Sequence, residues 1–373
     1  MRAAIIGAGF IGRVHARALR LLGIGLAGVA ASTPARSAAA GRELGADRSF
    51  GDAVTLIQDP AVDVVHVCTP NYLHRPLVEL ALAAGKHVVC EKPLGISDAE
   101  AAALTELARE ARVVAAVPFA YRYHPMMRQA RAMVLSGALG RIHLIHGSYL
   151  QDWLLSPADS NWRVDASLGG ASRAFADIGS HWCDLAEWTT GQRIAELIAT
   201  TEIVLPRRAA AAHRTFEHPA PAADQGMCQV STEDLACLMF RTTENTVGTV
   251  AISQVSAGRK NRLWIEVDGS AASLVFDQER PESLWVGHRD RGEELVRDDA
   301  ILAPDARRLS TLPPGHGQGF VDCFAAFLGD VYGAIREDHE PGHPSFDDGL
   351  RTARLGAAVL ESARARAWVK VGQ

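Results

Sequence analysis

The feature that most constrains the fold is Gly7-Ala8-Gly9-Phe10-Ile11-Gly12, which follows a short apolar strand, residues 3–6, and opens a helical pattern through Val14, Ala18, Leu21 and Leu22. Gly-x-Gly-x-x-Gly carries weight in this context, with a strand before it and a helix after it. Gly7 permits the tight turn, Gly9 lets a pyrophosphate approach the backbone, and Gly12 lets helix and strand pack closely. Around Phe10 and Ile11 the helix N-terminus supplies free amides and a positive dipole end to a phosphate. The chain therefore opens as a dinucleotide-binding βαβ unit.

The next strand, residues 26–31, ends in Ser32-Thr33-Pro34-Ala35-Arg36. An NAD site usually carries Asp or Glu here for the ribose 2′-hydroxyl. None is present, and small hydroxyls with Arg36 downstream suit a 2′-phosphate. That favours NADP over NAD, unless Arg36 is only a solvated residue of the following helix. A buried strand over 62–68 then runs into Thr69-Pro70-Asn71-Tyr72-Leu73-His74, a turn over the cofactor crevice, and a helix over 76–84 with Gly85 as its C-cap. The strand over 87–90 stops at Glu91-Lys92-Pro93, because Pro93 has no amide hydrogen and a fixed φ. Lys92 is left at the carboxyl end of that strand, which faces the ligand crevice in an open α/β sheet. It reads either as a solvated lysine or as one that low-dielectric walls have made an acid or base. A helix over 98–110, capped by Ser97, and a last strand over 112–117 complete a doubly wound parallel sheet in a first domain, residues 1–120.

A chain of 373 residues leaves room for a second domain over 121–373. The net charge of −5 gives no electrostatic ground for nucleic acid or an anionic membrane as partner. No apolar run reaches membrane-spanning length. The N-terminus runs straight into the first strand, so no signal peptide is expected. Six cysteines without metal or redox spacing read as reduced thiols, and the expected location is cytoplasmic.

In order and spacing, Gly7-x-Gly9-x-x-Gly12, Thr69-Pro70-Asn71-x-x-His74 and Glu91-Lys92-Pro93 resemble the glucose–fructose oxidoreductase/inositol dehydrogenase/rhizopine catabolism (Gfo/Idh/MocA) family. The resemblance implies a pyridine-nucleotide Rossmann domain followed by an α+β domain with a large, open, mostly antiparallel sheet. It implies that Lys92 lies by the nicotinamide and takes part in catalysis. It also implies a second subunit covering the sheet, hence a homodimer or homotetramer. In Tyr121-Arg122-Tyr123-His124-Pro125 it makes Arg122 a cofactor contact and Tyr123 a substrate contact, where the residues alone allow a surface hinge.

Tyr149-Leu150-Gln151-Asp152-Trp153 and Asn161-Trp162-Arg163 have the composition of a carbohydrate site: indole faces for sugar C–H surfaces, amide and guanidinium for hydroxyls. The same tryptophans could instead pack a loop against its own domain. Asp177 and His181 are four apart in a helical pattern over 175–188 and share a face. Such a pair can be a metal half-site, a surface hydrogen bond or an acid/base unit; without a third ligand at metal spacing, no metal is expected. His143 and His146 are three apart in a strand and point to opposite faces, so they do not share a metal. The family carries Asp-x-x-x-His beside its substrate, which implies that role for Asp177 and His181. The expected chemistry is hydride transfer between a secondary alcohol carbon and nicotinamide C4, with the alcohol proton passing to Lys92 or His181 and Asp177 orienting the pair.

Strands are expected over 194–204, 234–240, 247–254, 262–267 and 273–276, an excursion over 206–225, an irregular surface loop over 289–317, and helices over 319–335 and 346–368. The leading expectation is an NAD(P)-dependent oxidoreductase of a sugar, anhydrosugar or cyclitol hydroxyl. The alternative enzyme is a ketosugar or imine reductase. The alternative of another class is a nucleotide or sugar sensor, against which the joint presence of Lys92, Asp177 and His181 argues.

Overall fold

The computed structural model describes residues 1–210, 226–337 and 342–372. They fall into two compact units, one of residues 1–118, 167–170 and 321–353, the other of 119–166, 171–320 and 354 onward.

The first unit alternates strands and helices: β1 (Arg2–Ile6), α1 (Phe10–Leu21), β2 (Gly25–Ala30), α2 (Pro34–Leu44), β3 (Arg48–Ser49), α3 (Ala53–Gln58), β4 (Val64–Val67), α4 (His74–Ala83), β5 (His87–Cys90), α5 (Asp98–Ala111) and β6 (Ala115–Ala116). The six strands are parallel in the order β3-β2-β1-β4-β5-β6. The order reverses between β1 and β4, and a crevice opens at the carboxyl ends of strands where a doubly wound sheet reverses. The strands are continuous apolar runs, with Val64, Val65, Val67, Val88 and Val89 fully buried, as a sheet covered on both faces requires. Helix starts follow their caps. Thr33 Oγ1 accepts from the Arg36 amide at 3.2 Å, and Ser97 Oγ accepts from the Glu100 amide at 3.2 Å.

The first unit also includes chain from far downstream, residues 167–170 and 321–353. Helix Phe320–Glu337 lays Phe324 edge-on to His15 at 5.0 Å and Tyr332 against His66. Val117 N donates to Pro344 O at 3.1 Å and Ala116 bridges to Ser345, so β6 is short and its edge is covered. Thr105 Oγ1 reaches Phe346 O at 3.1 Å, at the start of helix Phe346–Ala365.

The second unit contains α6 (Pro125–Leu135), β7 (Ile142–Leu150), part of the short helix α7 (Ala166–Gly169), α8 (Ser180–Thr190), β8 (Ile194–Glu202), the small hairpin β9 (Arg207–Ala209) and β10 (Met227–Gln229), then β11 (Leu235–Thr242), β12 (Val247–Ser253), β13 (Arg262–Gly269), β14 (Ser273–Asp277), β15 (Ser283–Gly287), β16 (Gly292–Val296) and α9 (Pro304–Arg307). The two long helices described above are α10 and α11, and β17 (Val369–Lys370) follows them. Nine strands form one sheet, β16-β15-β14-β13-β7-β12-β11-β8-β17, antiparallel except for the β7–β12 pair. Strand residues alternate between faces: Leu263, Ile265 and Val267 enter the core while Trp264, Glu266 and Asp268 do not.

Two expectations are revised here. The segment 289–317 is not irregular throughout, because it holds β16 and α9. Its organiser is the fully buried Arg297, which donates to Glu282 at 2.7 Å, to Ser310 Oγ at 2.7 Å and to the carbonyls of Leu312 and His316 at 2.6 and 2.7 Å. A buried guanidinium with its donors filled can order a polar loop as a hydrophobic cluster would. The excursion over 206–225 begins as β9, and residues 211–225 lie outside the described residues.

One contact fixes α8 on the sheet. Trp182, fully buried, donates its indole N–H to Trp264 O at 2.9 Å. It lies over Gly147 of β7, where an added Cβ would come within 2.8 Å of the indole nitrogen and 2.1 Å of Trp264 O. Only a residue without a side chain admits this approach. Truncating such an anchor costs about 3–5 kcal/mol, and its neighbour in the helix is His181.

Candidate active site

The candidate residues form two groups, one in each unit. In the first, Gly7 has φ of +100°, and a Cβ on it would lie 2.4 Å from Cys68 O. A Cβ on Gly12 would lie 2.1 Å from Gly7 O, whereas one on Gly9 meets nothing within 4 Å. Gly7 and Gly12 are thus closed by packing, while Gly9, the N-cap of α1, opens onto free space. The first turn of α1, carrying Phe10, Ile11 and Gly12, has no acidic residue, so its amides offer an undiluted positive end. Beside this turn the Thr69 hydroxyl is buried without a hydrogen-bond partner among the described residues. An open cradle, first-turn amides and an orphaned hydroxyl together fit the pyrophosphate of a nicotinamide dinucleotide.

At the end of β2 the Arg36 guanidinium donates to Ser32 Oγ at 3.0 Å, with Thr33 between them as helix cap. All three side chains are accessible or partly so, and no carboxylate replaces them.

The other two motifs are tied to each other by His74. Buried, it places Nδ1 2.9 Å from Pro93 O and Nε2 3.0 Å from Thr69 O. Burial lowers its pKa against the opposing pull of these carbonyls and of Glu91. Asn71 Nδ2 donates to Gly169 O at 2.8 Å, and Pro70 supplies the extended residue before the turn. The Lys92–Pro93 peptide is cis. Glu91 is buried, with Oε1 3.0 Å from His15 Nε2 and Oε2 3.3 Å from the Lys92 amide. Lys92 therefore projects from a turn whose neighbours on both sides are held.

In the second unit the helix bearing Asp177 and His181 is a π-turn, Phe175–Gly179, leading into α8. The sequence expected one continuous helix; π-turns concentrate at functional sites because they re-aim side chains. Its start is held by Glu233, which accepts from Ser172 Oγ at 2.7 Å and from the amides of Arg173 and Phe175 at 2.9 Å. Asp177 Oδ2 accepts from Gln254 Nε2 at 2.8 Å, and Arg163 Nε lies 3.4 Å from Oδ1. Behind it Arg173 and Arg208 share Asp234 in a fully buried triad. Burial works to raise the Asp234 pKa, but the Arg173 charge and the hydrogen bonds outweigh it and hold the carboxyl low.

From Arg163 the contacts run round a ring. Its guanidinium lies over Trp162 at 4.4 Å and over Trp153 at 5.9 Å. Trp153 Nε1 donates to Gln151 Oε1, and Gln151 Nε2 donates to Asn261 Oδ1 at 2.7 Å. Asn261 Oδ1 also accepts from Tyr149 OH at 2.7 Å, Tyr149 meets Tyr121 OH at 2.6 Å, and Asn261 Nδ2 returns to Tyr121 OH at 3.1 Å. Burial, then the Tyr121 neighbour, pushes Tyr149 up, so it stays a neutral phenol. His181 closes the ring edge-on to Tyr121, with centroids 4.9 Å apart. Six of the expected substrate residues, Tyr149, Gln151, Trp153, Arg163, Asp177 and His181, are thereby brought into one constellation.

Arg122 and Tyr123 belong to a different environment. Their turn packs inward: Arg122 forms a two-pronged buried pair with Asp184 of α8, and the Tyr123 ring, 1% exposed, lies under the Arg128 guanidinium at 4.5 Å. His146 meets Glu266 at 3.5 Å and Asp268 at 3.4 Å, atoms all within 4.8 Å of one another. That spacing suits a histidine shared between two carboxylates and equally a cation. Burial and the Asp268 charge push the Glu266 carboxyl up.

Residues 1–119 match the oxidoreductase family with an NAD-binding Rossmann fold, and residues 127–275 match the Gfo/Idh/MocA C-terminal domain. The chain belongs to the Gfo/Idh/MocA oxidoreductase family. It is similar to levoglucosan dehydrogenase of Pseudarthrobacter phenanthrenivorans, 31% identical over 386 residues and covering 99% of this chain and 97% of that one. It is also similar to myo-inositol 2-dehydrogenase of Thermotoga maritima, 24% identical over 375 residues, covering 100% and 98%. The solved structure of levoglucosan dehydrogenase in complex with NADH and levoglucosan matches with a TM-score of 0.91 at 30% identity over 100% of both chains.

For a Gfo/Idh/MocA oxidoreductase, the residues that sequence reasoning missed are the supports. Gln254, Asn261, Glu233, Asp234 and Arg173 come from strand ends and loops that no local motif marks. His15 and His66 did leave a trace. His15 falls on the apolar face of α1 beside Val14 and Ala18, and His66 interrupts the run Val64-Val65-His66-Val67. A polar residue at such a position requires a buried partner. Among the described residues no helix is long and apolar enough to cross a membrane.

Proposed function

We propose that the protein is an NAD(P)-dependent dehydrogenase that oxidises a secondary hydroxyl of a sugar, anhydrosugar or cyclitol. The observation that carries this reading is the ring Arg163–Trp153–Gln151–Asn261–Tyr149 with Asp177 and His181. With Trp162 under the Arg163 guanidinium, it brings together two indoles and several amide, phenol and guanidinium groups at fixed angles, the chemistry that a polyhydroxylated ring needs. The similarity to levoglucosan and inositol dehydrogenases supports the same class.

When bound, the nicotinamide dinucleotide supplies the hydride acceptor. Gly9 and the first-turn amides of α1 hold its pyrophosphate, with Thr69, Pro70, Asn71 and His74 shaping the adjoining turn and Glu91, Lys92 and Pro93 the next. Arg163, Gln151 and Asn261 hold substrate hydroxyls. A carbonyl forms only when the hydroxyl proton leaves along with the hydride, and the Lys92 amine or the His181 imidazole takes that proton. Asp177, held by Gln254 and beside Arg163, orients and polarises the proton-accepting group. Ser32, Thr33 and Arg36 favour NADP, since a guanidinium without a competing carboxylate suits a 2′-phosphate. The protein works in the cytoplasm as a homodimer or homotetramer.

The test is nicotinamide absorbance with levoglucosan, myo-inositol, D-glucose and D-xylose under NAD and NADP. Turnover of at least one is expected; inertness of all under both cofactors removes the reading. Ser32→Asp should shift the NADP/NAD affinity ratio about tenfold or more toward NAD, and an unchanged ratio would remove the NADP preference.

A further inference from the structure

Behind the Glu91-Lys92-Pro93 turn lies a buried chain of four side chains from four separate segments of the first unit. Tyr332 OH is 2.9 Å from His66 Nε2, His66 Nδ1 is 2.8 Å from His15 Nδ1, and His15 Nε2 is 3.0 Å from Glu91 Oε1. The four residues are between 0% and 7% exposed. Phe324 lies edge-on to His15 and keeps the chain in hydrocarbon.

Counting donors gives the chain a direction. The Lys92 amide is a donor, so Glu91 Oε2 accepts from it at 3.3 Å. With Glu91 a carboxylate, Oε1 also accepts, and His15 Nε2 must carry its hydrogen. With one hydrogen on each ring, His15 accepts at Nδ1, His66 Nδ1 carries its hydrogen and His66 Nε2 accepts from the Tyr332 hydroxyl. Each hydrogen is used once and no ring nitrogen is left over. Burial keeps both ends of the upper link neutral, pushing His66 down and Tyr332 up.

We propose that Tyr332, His66 and His15 are positioning residues for the catalytic turn, a one-way hydrogen-bond chain that holds the Glu91 carboxylate against the Lys92 amide and so fixes where Lys92 stands. The chain acts through Glu91 and touches neither cofactor nor substrate. This assignment rests on the reading of Lys92 as a catalytic residue, and it adds what holds Lys92 in place. It also gives the Glu of the Glu-Lys-Pro motif a physical task.

Three variants and one spectrum test it. His15→Leu, which removes the donor to Glu91, should lower kcat on the best sugar of the panel about tenfold or more while the Kd for NADH stays within about twofold. His15→Gln keeps a donor and an acceptor and should recover most of kcat. Tyr332→Phe, isosteric in the core, should lower kcat by a smaller factor in the same direction. Unchanged kcat in a folded His15→Leu, or His15→Gln as defective as His15→Leu, overturns the proposal. If His15→Leu does not fold, Tyr332→Phe decides, and wild-type kcat in that variant overturns it. If wild-type protein oxidises no sugar, the functional reading has failed on its own, and the 15N histidine spectrum of the wild type tests the chain alone. Hydrogen on Nε2 of His15 and on Nδ1 of His66 upholds it; any other tautomer pair overturns it.

Discussion

The two units build their polar groups on opposite principles. In the first, the candidate residues hang from turns at the ends of apolar strands, and the buried groups behind them are tied by chains of hydrogen bonds: His74 between two carbonyls, and Tyr332, His66 and His15 leading to Glu91. In the second, the site wall is backed by buried ions, Arg173 and Arg208 on Asp234, with Glu233 capping the π-turn. Chemistry and stability should therefore be separable in the first unit and inseparable in the second. A link in a hydrogen-bond chain can be changed at modest cost, whereas a buried ion pair stripped of one partner cannot.

The largest effect tests the first half of that contrast. Lys92→Ala should lower kcat by about 10²–10⁴-fold, the usual weight of a positioned acid or base, with a melting temperature close to wild type. A fall in stability to match would mean that Lys92 is structural. Asp234→Ala tests the second half, because it leaves two buried guanidiniums facing each other. It should cost about 3–5 kcal/mol in denaturant unfolding and lower kcat as well. A stable, inactive Asp234→Ala protein would break the comparison.

Acid should act through neutral histidines. Burial depresses the folded-state pKa of His66 and His74, and takes His124 and His343 to about 4 from 6.5. Below pH about 6.5 the unfolded chain takes up protons that the folded chain refuses, so stability falls as pH drops toward 4. For His124 the loss by pH 4 is about 3 kcal/mol. Melting temperature followed from pH 7 to pH 4 checks this, and His124→Asn should flatten the slope. The smallest effect belongs to Gln254→Leu, which frees Asp177 from one hydrogen bond. It should lower kcat about tenfold and the melting temperature with it, because Gln254 Oε1 also accepts from the buried Arg173 at 3.4 Å; a KM effect alone would make Gln254 a substrate contact only.

The same contrast explains what the sequence revealed. Turn motifs are local: Gly7 to Gly12, Thr69 to His74 and Glu91 to Pro93 each announce themselves within six residues, and the doubly wound sheet follows from their spacing. The longer strands of the second unit were legible by alternation, but β16 escaped because Gly292-Glu-Glu-Leu-Val296 is polar and Arg297 replaces an apolar anchor. The wall around Asp177 joins positions 163, 177, 234, 254 and 261, and no periodicity connects them. Arg122 and Tyr123 show what the turn's composition left unread: besides any ligand contact, the side chains meet the buried Asp184 and Arg128.

The central claim is that this chain moves a hydride from a sugar or cyclitol carbon to nicotinamide. It is tested most directly by supplying the best substrate of the panel with deuterium on its hydroxyl-bearing carbons and weighing the reduced cofactor. The account predicts one deuterium on the nicotinamide ring in the wild type, and almost none formed over the same time by Lys92→Ala. Reduced cofactor carrying no deuterium, or a Lys92→Ala protein that labels it at the wild-type rate, would contradict it.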